Sequence, residues 1–143
     1  MKMEDSELRQ AMAVLEAYDA QLEALNRQVR LLQVSLDDTV RARESFKALA
    51  DAKEGDDILI PVGASSFIPA KVTGKKKAIV GIGNRLSTEK DLSEAVEFME
   101  ASVSELSKAL RDSISTLNEV EKMAAELTAA VQNEYQYRQQ SVQ

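Results

Sequence analysis

Few residues in the chain have the types and spacing to do chemistry. Gly81-Ile82-Gly83-Asn84 resembles the start of a phosphate-cradling loop, but no third glycine follows at its spacing and no Gly-Lys-Ser or Gly-Lys-Thr ending closes it. Nucleotide binding is not expected. Lys75-Lys76-Lys77 gathers three ammonium groups, which in a turn between strands usually form a solvated guard for a strand edge rather than an anion site. Asp37-Asp38 and Asp56-Asp57 are neighbours in sequence, so their side chains diverge and neither pair makes a converging acid–base couple or an oxygen cage. The chain contains no His and no Cys, which removes zinc clusters, disulfides, thiol nucleophiles and every triad with an imidazole base. No catalytic residue, metal ligand or cofactor site is expected, and the chain is not read as an enzyme.

Composition narrows the partners. Of 143 residues, 44% are apolar, which suits one folded unit rather than two independent cores. Acidic side chains number 24 against 18 basic, and the net charge of −6 repels a nucleic-acid backbone. Aromatics, at 4%, are too sparse for a base-stacking platform. No apolar run approaches the ~18 residues of a membrane span. The start, Met1-Lys2-Met3-Glu4-Asp5, lacks the apolar stretch and cleavage site of a secretory signal. A cytoplasmic protein without nucleic-acid or membrane partners is the expectation, and the lack of Cys is compatible with a reducing compartment.

All five glycines and both prolines lie between Gly55 and Gly83, leaving two uninterrupted flanks of roughly 50 residues that can run as helices. In the first, expected over 4–54, two seven-residue series interleave. One is Leu8, Leu15, Leu22, Val29, Leu36, Arg43; the other is Ala11, Tyr18, Leu25, Leu32, Thr39, Phe46. Asp5 or Ser6 is the expected N-cap and Gly55 the stop. In the second flank, expected over 88–139, the series are Leu92, Met99, Leu106, Ser113, Val120, Leu127 and Val96, Val103, Leu110, Leu117, Ala124, Val131. Thr88 and Asp91 suggest a loose capping box at its start. Equal length and period make each flank the other's antiparallel coiled-coil partner, with both chain ends meeting at one tip. Arg43, Thr39 and Ser113 are polar intrusions into this seam; the arginine must snorkel or find a carboxylate across it.

Over 56–87 the period becomes two, the mark of strands. Ile58, Ile60 and Val62 alternate, then Ile68, Ala70 and Val72, then Ala78, Val80 and Ile82, with Arg85-Leu86-Ser87 as a short fourth segment. Turns at 63–66, 73–76 and 83–84 divide them into two β-hairpins. Isolated hairpins are marginal in water, and a two-helix seam does not obviously cover their aliphatic side chains and Phe67. The strands are therefore expected to complete a sheet or barrel shared among several chains. The residues expected at that interface are Ile58, Ile60, Val62, Phe67, Ile68, Val72, Ile79, Val80 and Ile82. At the tip, Met1, Met3, Leu8 and Met12 would meet Val131, Tyr135, Tyr137 and Val142, more apolar surface than a seam needs. Flexible, polarizable methionine suits weak contact with many unrelated segments.

Two strings carry a resemblance. Ile58-Leu59-Ile60-Pro61-Val62-Gly63-Ala64-Ser65-Ser66-Phe67-Ile68-Pro69-Ala70, followed by Val80-Gly81-Ile82-Gly83 and set between two heptad helices, resembles the two-hairpin alpha class of the archaeal prefoldin family over essentially the whole chain. The resemblance implies an ATP-independent chaperone subunit, two alpha and four beta chains joined through a β-barrel platform. It also implies that the coiled-coil tips hold non-native client proteins and pass them to a group II chaperonin. On this chain the platform would fall within Ile58 to Ile82 and the client contacts at the apolar residues of the two termini. The competing expectation is a structural or tethering coiled-coil protein whose arms hold one specific folded partner.

Overall fold

The computed structural model describes residues 2–142. Helix α1 spans Asp5–Asp51, and strands β1 (Asp57–Gly63), β2 (Ser66–Lys71), β3 (Lys77–Gly83) and β4 (Leu86–Asp91) lead to helix α2, Leu92–Val142. The architecture is thus two long helices with two small antiparallel hairpins between them. The chain divides into two compact units, one of Met1–Val34 with Ser107–Gln143 and one of Ser35–Leu106.

In the first unit the helices pair antiparallel. Tyr18 Oη donates to Met123 Sδ at 3.9 Å and Tyr135 Oη to Met12 Sδ at 3.3 Å, so chain number rises along one helix as it falls along the other. The inward positions are those of the seven-residue series: Leu15, Tyr18, Leu22, Leu25, Val29 and Leu32 are half-buried and the residues between them exposed. Leu8, Ala11 and Val131 form the buried core, with Met3, Leu15 and Leu127 packed on it. Full burial of a Leu or Val side chain contributes about 1.5–3 kcal/mol, so this short seam depends on few contacts. Leu8 N–H donates to Glu4 O at 3.0 Å, which puts the cap at Glu4, ahead of both expected positions, Asp5 and Ser6.

In the second unit β1 pairs with β2 and β3 with β4, each antiparallel. The hairpins repeat one another: each paired position of the first recurs twenty residues on, Asp57 matching Lys77, Gly63 matching Gly83 and Lys71 matching Asp91. Both turn through two residues at positive φ, Ala64 (50°) and Ser65 (57°) in one, Asn84 (52°) and Arg85 (62°) in the other. Positive φ at both central residues is what a tight hairpin following the strand twist demands. The glycine before each turn, Gly63 at 102° and Gly83 at 103°, takes the backbone where a side chain is strained and marks the register shift in each ladder. At its open end each hairpin closes on an ion pair of reversed polarity, Lys71–Asp57 at 2.8 Å and Lys77–Asp91.

The structure corrects two boundaries. Thr88 to Asp91 belong to β4, not to the second helix, because Thr88 stands opposite Val80 and Lys90 opposite Ala78, and the covered face of β3 needs that partner. The helix begins at Leu92, directly after Asp91, with Glu94 in its first turn, where negative charge suits the helix dipole. Helix α1 ends at Asp51, three residues before the expected end at residue 54. Its last carbonyls have a side-chain partner: Lys76 Nζ donates to Leu49 O at 2.9 Å, to Ala50 O at 3.4 Å and to Ala52 O. A cation on those oxygens satisfies orphan acceptors and offsets the negative end of the helix dipole.

Candidate functional site

Two surfaces hold the residues singled out above. The first is the end of the helix pair that carries both termini. The two series of α2 continue past Val131 to Glu134 and Arg138, so the last seam positions are charged. Glu134 is 1% exposed and accepts two hydrogen bonds there. Its Oε2 accepts Met3 N–H at 2.9 Å and its Oε1 accepts Arg138 Nε–H at 2.8 Å. Arg138 also donates to Met3 O at 3.1 Å and pairs with Asp5 at 2.8 Å. The guanidinium, then the Met3 amide, hold the Glu134 carboxyl below its ordinary range against the opposing effect of burial. The pairing raises Arg138 in return.

This clasp decides which of the expected contacts are free. Leu8 and Val131 are buried in the seam and offer nothing to an outside polypeptide; that part of the expected client set is withdrawn, because the seam consumes these side chains. Met3 is half-buried against the same core. Met12, Tyr135, Tyr137 and Val142 are exposed, and the Tyr135–Met12 contact brings two of them together across the pair. Met1 lies outside the described residues. Residues 2–5 and Tyr137, Ser141 and Val142 flank an open groove of about 450 Å³. Exposed Val14 and Met123 extend the apolar surface of this unit; both lie off the heptad series and away from the chain ends, so neither carries a sequence signal for this role.

The second surface is on the hairpins. Leu59, Ile60, Val62, Phe67, Ile68, Ile79, Ile82 and Leu86 are all exposed, an apolar concentration unusual for a solvent-facing sheet. Ile58 and Val72 are half-buried. Val80 is different: at 1% exposure it is spent inside its own unit, where Leu92 and Ala95 are also buried, and it drops out of the expected interface. Leu59 and Leu86 take their place on the exposed side.

The remaining candidates resolve without a site. The three lysines of 75–77 go three ways: Lys75 pairs with Glu89 at 2.9 Å, Lys76 caps α1 and Lys77 pairs with Asp91. These pairs lower Glu89 and Asp91 and raise Lys77. Arg43 does not reach across the seam but binds its neighbour Glu44 at 3.0 Å. Thr39 Oγ1 donates to Ser35 O on its own helix at 2.7 Å, while Ser113 is buried in the seam. Among the described residues no group of three potential metal ligands lies together, and no helix is long and apolar enough to cross a membrane.

Two hairpins between heptad helices are a specific arrangement, and the family model described as "Prefoldin subunit" matches residues 18–137. The chain belongs to the prefoldin family. It is a prefoldin chaperone-type subunit, from a family of chaperones rather than of known enzymes. Among its relatives is prefoldin subunit alpha of Methanococcus aeolicus, 30% identical over 92% of this chain and 90% of that one. Prefoldin subunit alpha of Nitrosopumilus maritimus is 32% identical over 100% of this chain and 97% of its own. Both carry the class name that the two-hairpin resemblance implied. In fold, this prefoldin chain is similar to a chain of the filamentous prefoldin of Methanocaldococcus jannaschii, with a TM-score of 0.64 at 24% identity over 85% of this chain and 98% of that one. It is also similar to the prefoldin beta subunit of Thermococcus strain KS-1, with a TM-score of 0.57 at 16% identity over 93% and 96%.

Proposed function

We propose that the chain is the alpha subunit of an ATP-independent holdase, binding non-native polypeptides at the end of its helix pair and joining other subunits through its hairpins. The observation that supports this most is the set of exposed Met12, Tyr135, Tyr137 and Val142 around that end, on a chain of the prefoldin family. Such side chains bind weakly and without sequence preference, and several copies acting on one unfolded chain raise avidity through effective concentration, with no hydrolysis. The exposed hairpin residues Ile60, Val62, Phe67, Ile68, Ile79 and Ile82 support assembly with beta-class subunits, as two alpha and four beta chains, which removes both open edges and bare apolar surface. In this reading the complex works in the cytoplasm, needs no cofactor and delivers clients to a group II chaperonin.

The experiment is turbidity of a chemically unfolded protein diluted into buffer with the chain and a beta-class partner, with intact surface or with Met12→Ser, Tyr135→Ser and Tyr137→Ser combined. Leu8 and Val131 are left intact because the seam needs them. Suppression by the intact complex and its loss in the variant, with light scattering showing equal assembly, is the expected result. Equal suppression by both removes the client site from this end; no suppression by either, with assembly retained, favours a tether for a folded partner.

A further inference from the structure

Two aliphatic side chains of α1 face solvent with no role in the seam. Leu31 is 69% exposed and Val34 61%, against the half-buried inward positions Val29, Leu32 and Leu36 around them. Three apart, they lie on adjacent turns of one helix face. Arg27 precedes Leu31 by one turn and Arg30 precedes Val34 by one turn, and these four residues line an open groove of about 250 Å³.

The charge of this face runs against that of the molecule. The chain carries −6, yet from Ala24 to Leu36 it has two arginines and no carboxylate, with Glu23 and Asp37 bracketing the stretch. The ion pairs of α1 engage Asp5 with Arg138, Asp38 with Arg41, Arg43 with Glu44 and Lys47 with Glu100. Among the described residues neither Arg27 nor Arg30 is in an ion pair. A guanidinium without a carboxylate is a fork that can donate to one bidentately, and a bare aliphatic pair beside it supplies apolar contact at the same place.

We propose that Arg27, Arg30, Leu31 and Val34 form a docking face for an acidic amphipathic segment of a partner protein. The segment presents two carboxylates about one helical turn apart to the arginines and two apolar side chains to Leu31 and Val34. Charge complementarity decides the occupant: a basic segment is repelled by the arginines, and an uncharged apolar one leaves them without partners. Anchors at i, i+3, i+4 and i+7 are the spacing with which one helix lies along another. The small area suits a transient contact governed by salt. It is separate from the client surface, since Leu31 stands about 28 Å along α1 from Met12 at 1.5 Å per residue.

The test uses the full chain assembled with its partner subunits and three fluorescein-labelled helical peptides of about fifteen residues, read by anisotropy. One has leucines at i and i+3 among glutamates, one has lysine for every glutamate, and one has alanine for every leucine. The first should bind, weaken as salt rises, and exceed both others by about tenfold in affinity. Arg27→Glu with Arg30→Glu, and separately Leu31→Ser with Val34→Ser, should each lower its affinity about tenfold while helix content by circular dichroism holds. Equal binding of the lysine peptide, or full affinity in either double variant, overturns the proposal. So does binding to phosphatidylserine vesicles in place of the peptide, or an arginine-dependent self-association by sedimentation. Turbidity measured on the same variants reads the holdase function independently, because Met12, Tyr135 and Tyr137 are untouched.

Discussion

Glu134 accepts the backbone N–H of Met3 at 2.9 Å, a hydrogen bond between residues 131 apart in the chain. Through it Met3 is held against the last turns of α2, and the buried carboxylate rather than an apolar side chain closes the seam. A charge in that position is tolerated because Arg138 and the Met3 amide satisfy it together. The clasp orders residues 2–5 beside the surface proposed to meet clients.

Loss of the carboxylate should therefore free the N-terminal residues without unfolding the helices. Glu134→Ala is expected to speed proteolytic cleavage within residues 2–8 by about tenfold, with α2 still protected, because it leaves the Met3 amide unpartnered and Arg138 with only Met3 O and Asp5. Glu134→Gln keeps an acceptor for the amide and should lie between. Limited proteolysis read by mass spectrometry checks both; equal cleavage in all three proteins would show that the clasp holds nothing.

The same group gives the end a pH dependence. Its carboxyl is depressed in the folded chain, chiefly by Arg138, so its contribution is fully present above about pH 4.3, the value of a free glutamate. It is lost as pH falls through the lower folded value. The protection factors of the Leu8 amide and its neighbours, corrected for the intrinsic pH dependence of exchange, should fall on acidification in the wild type and stay flat in Glu134→Gln.

Lys76 is the side-chain partner of three carbonyls at the end of α1. Lys76→Met keeps the aliphatic stem and removes the donors, and should lower stability by about 1.5 kcal/mol, read as a shift of the urea midpoint at constant slope. Lys75→Met, which removes only an exposed pair with Glu89, should change it little.

Adjacent residues of β3 should fail in different assays. Val80 is buried and Val80→Ala should cost about 1–2.5 kcal/mol in the chain alone. Ile79 is 77% exposed, so Ile79→Ser should leave the thermal transition of the isolated chain in place and weaken assembly with beta-class subunits by light scattering. The opposite pattern would exchange the two faces of the hairpin.

The twin turns offer a further check of their equivalence. Gly63→Ala and Gly83→Ala force side chains to φ of 102° and 103°, and each should destabilise by about 1–2 kcal/mol. Unequal costs would show that the two turns are not held alike.

Which residues form helices and which strands was legible before any fold was known, because glycine, proline and the change of hydrophobic period act locally. Leu15, Leu25, Leu32, Leu106 and Leu127 announced an inward face, and the structure half-buries each of them. Short-range chemistry also excluded imidazole and thiol sites outright. Three things required the tertiary arrangement. Thr88–Asp91 could be capping residues or a strand with equal local propriety, and only pairing with β3 decided between them. Val80 and Ile79 are both aliphatic β-formers, and which one faces inward depends on what covers the sheet. Glu134 and Arg138 are polar residues at positions the heptad reserves for apolar ones; a period computed on hydrophobicity stops at Val131. Burial of a charge is decided by the partners it meets, here Met3 and Asp5 from the other end of the chain, and no spacing along one helix encodes that meeting.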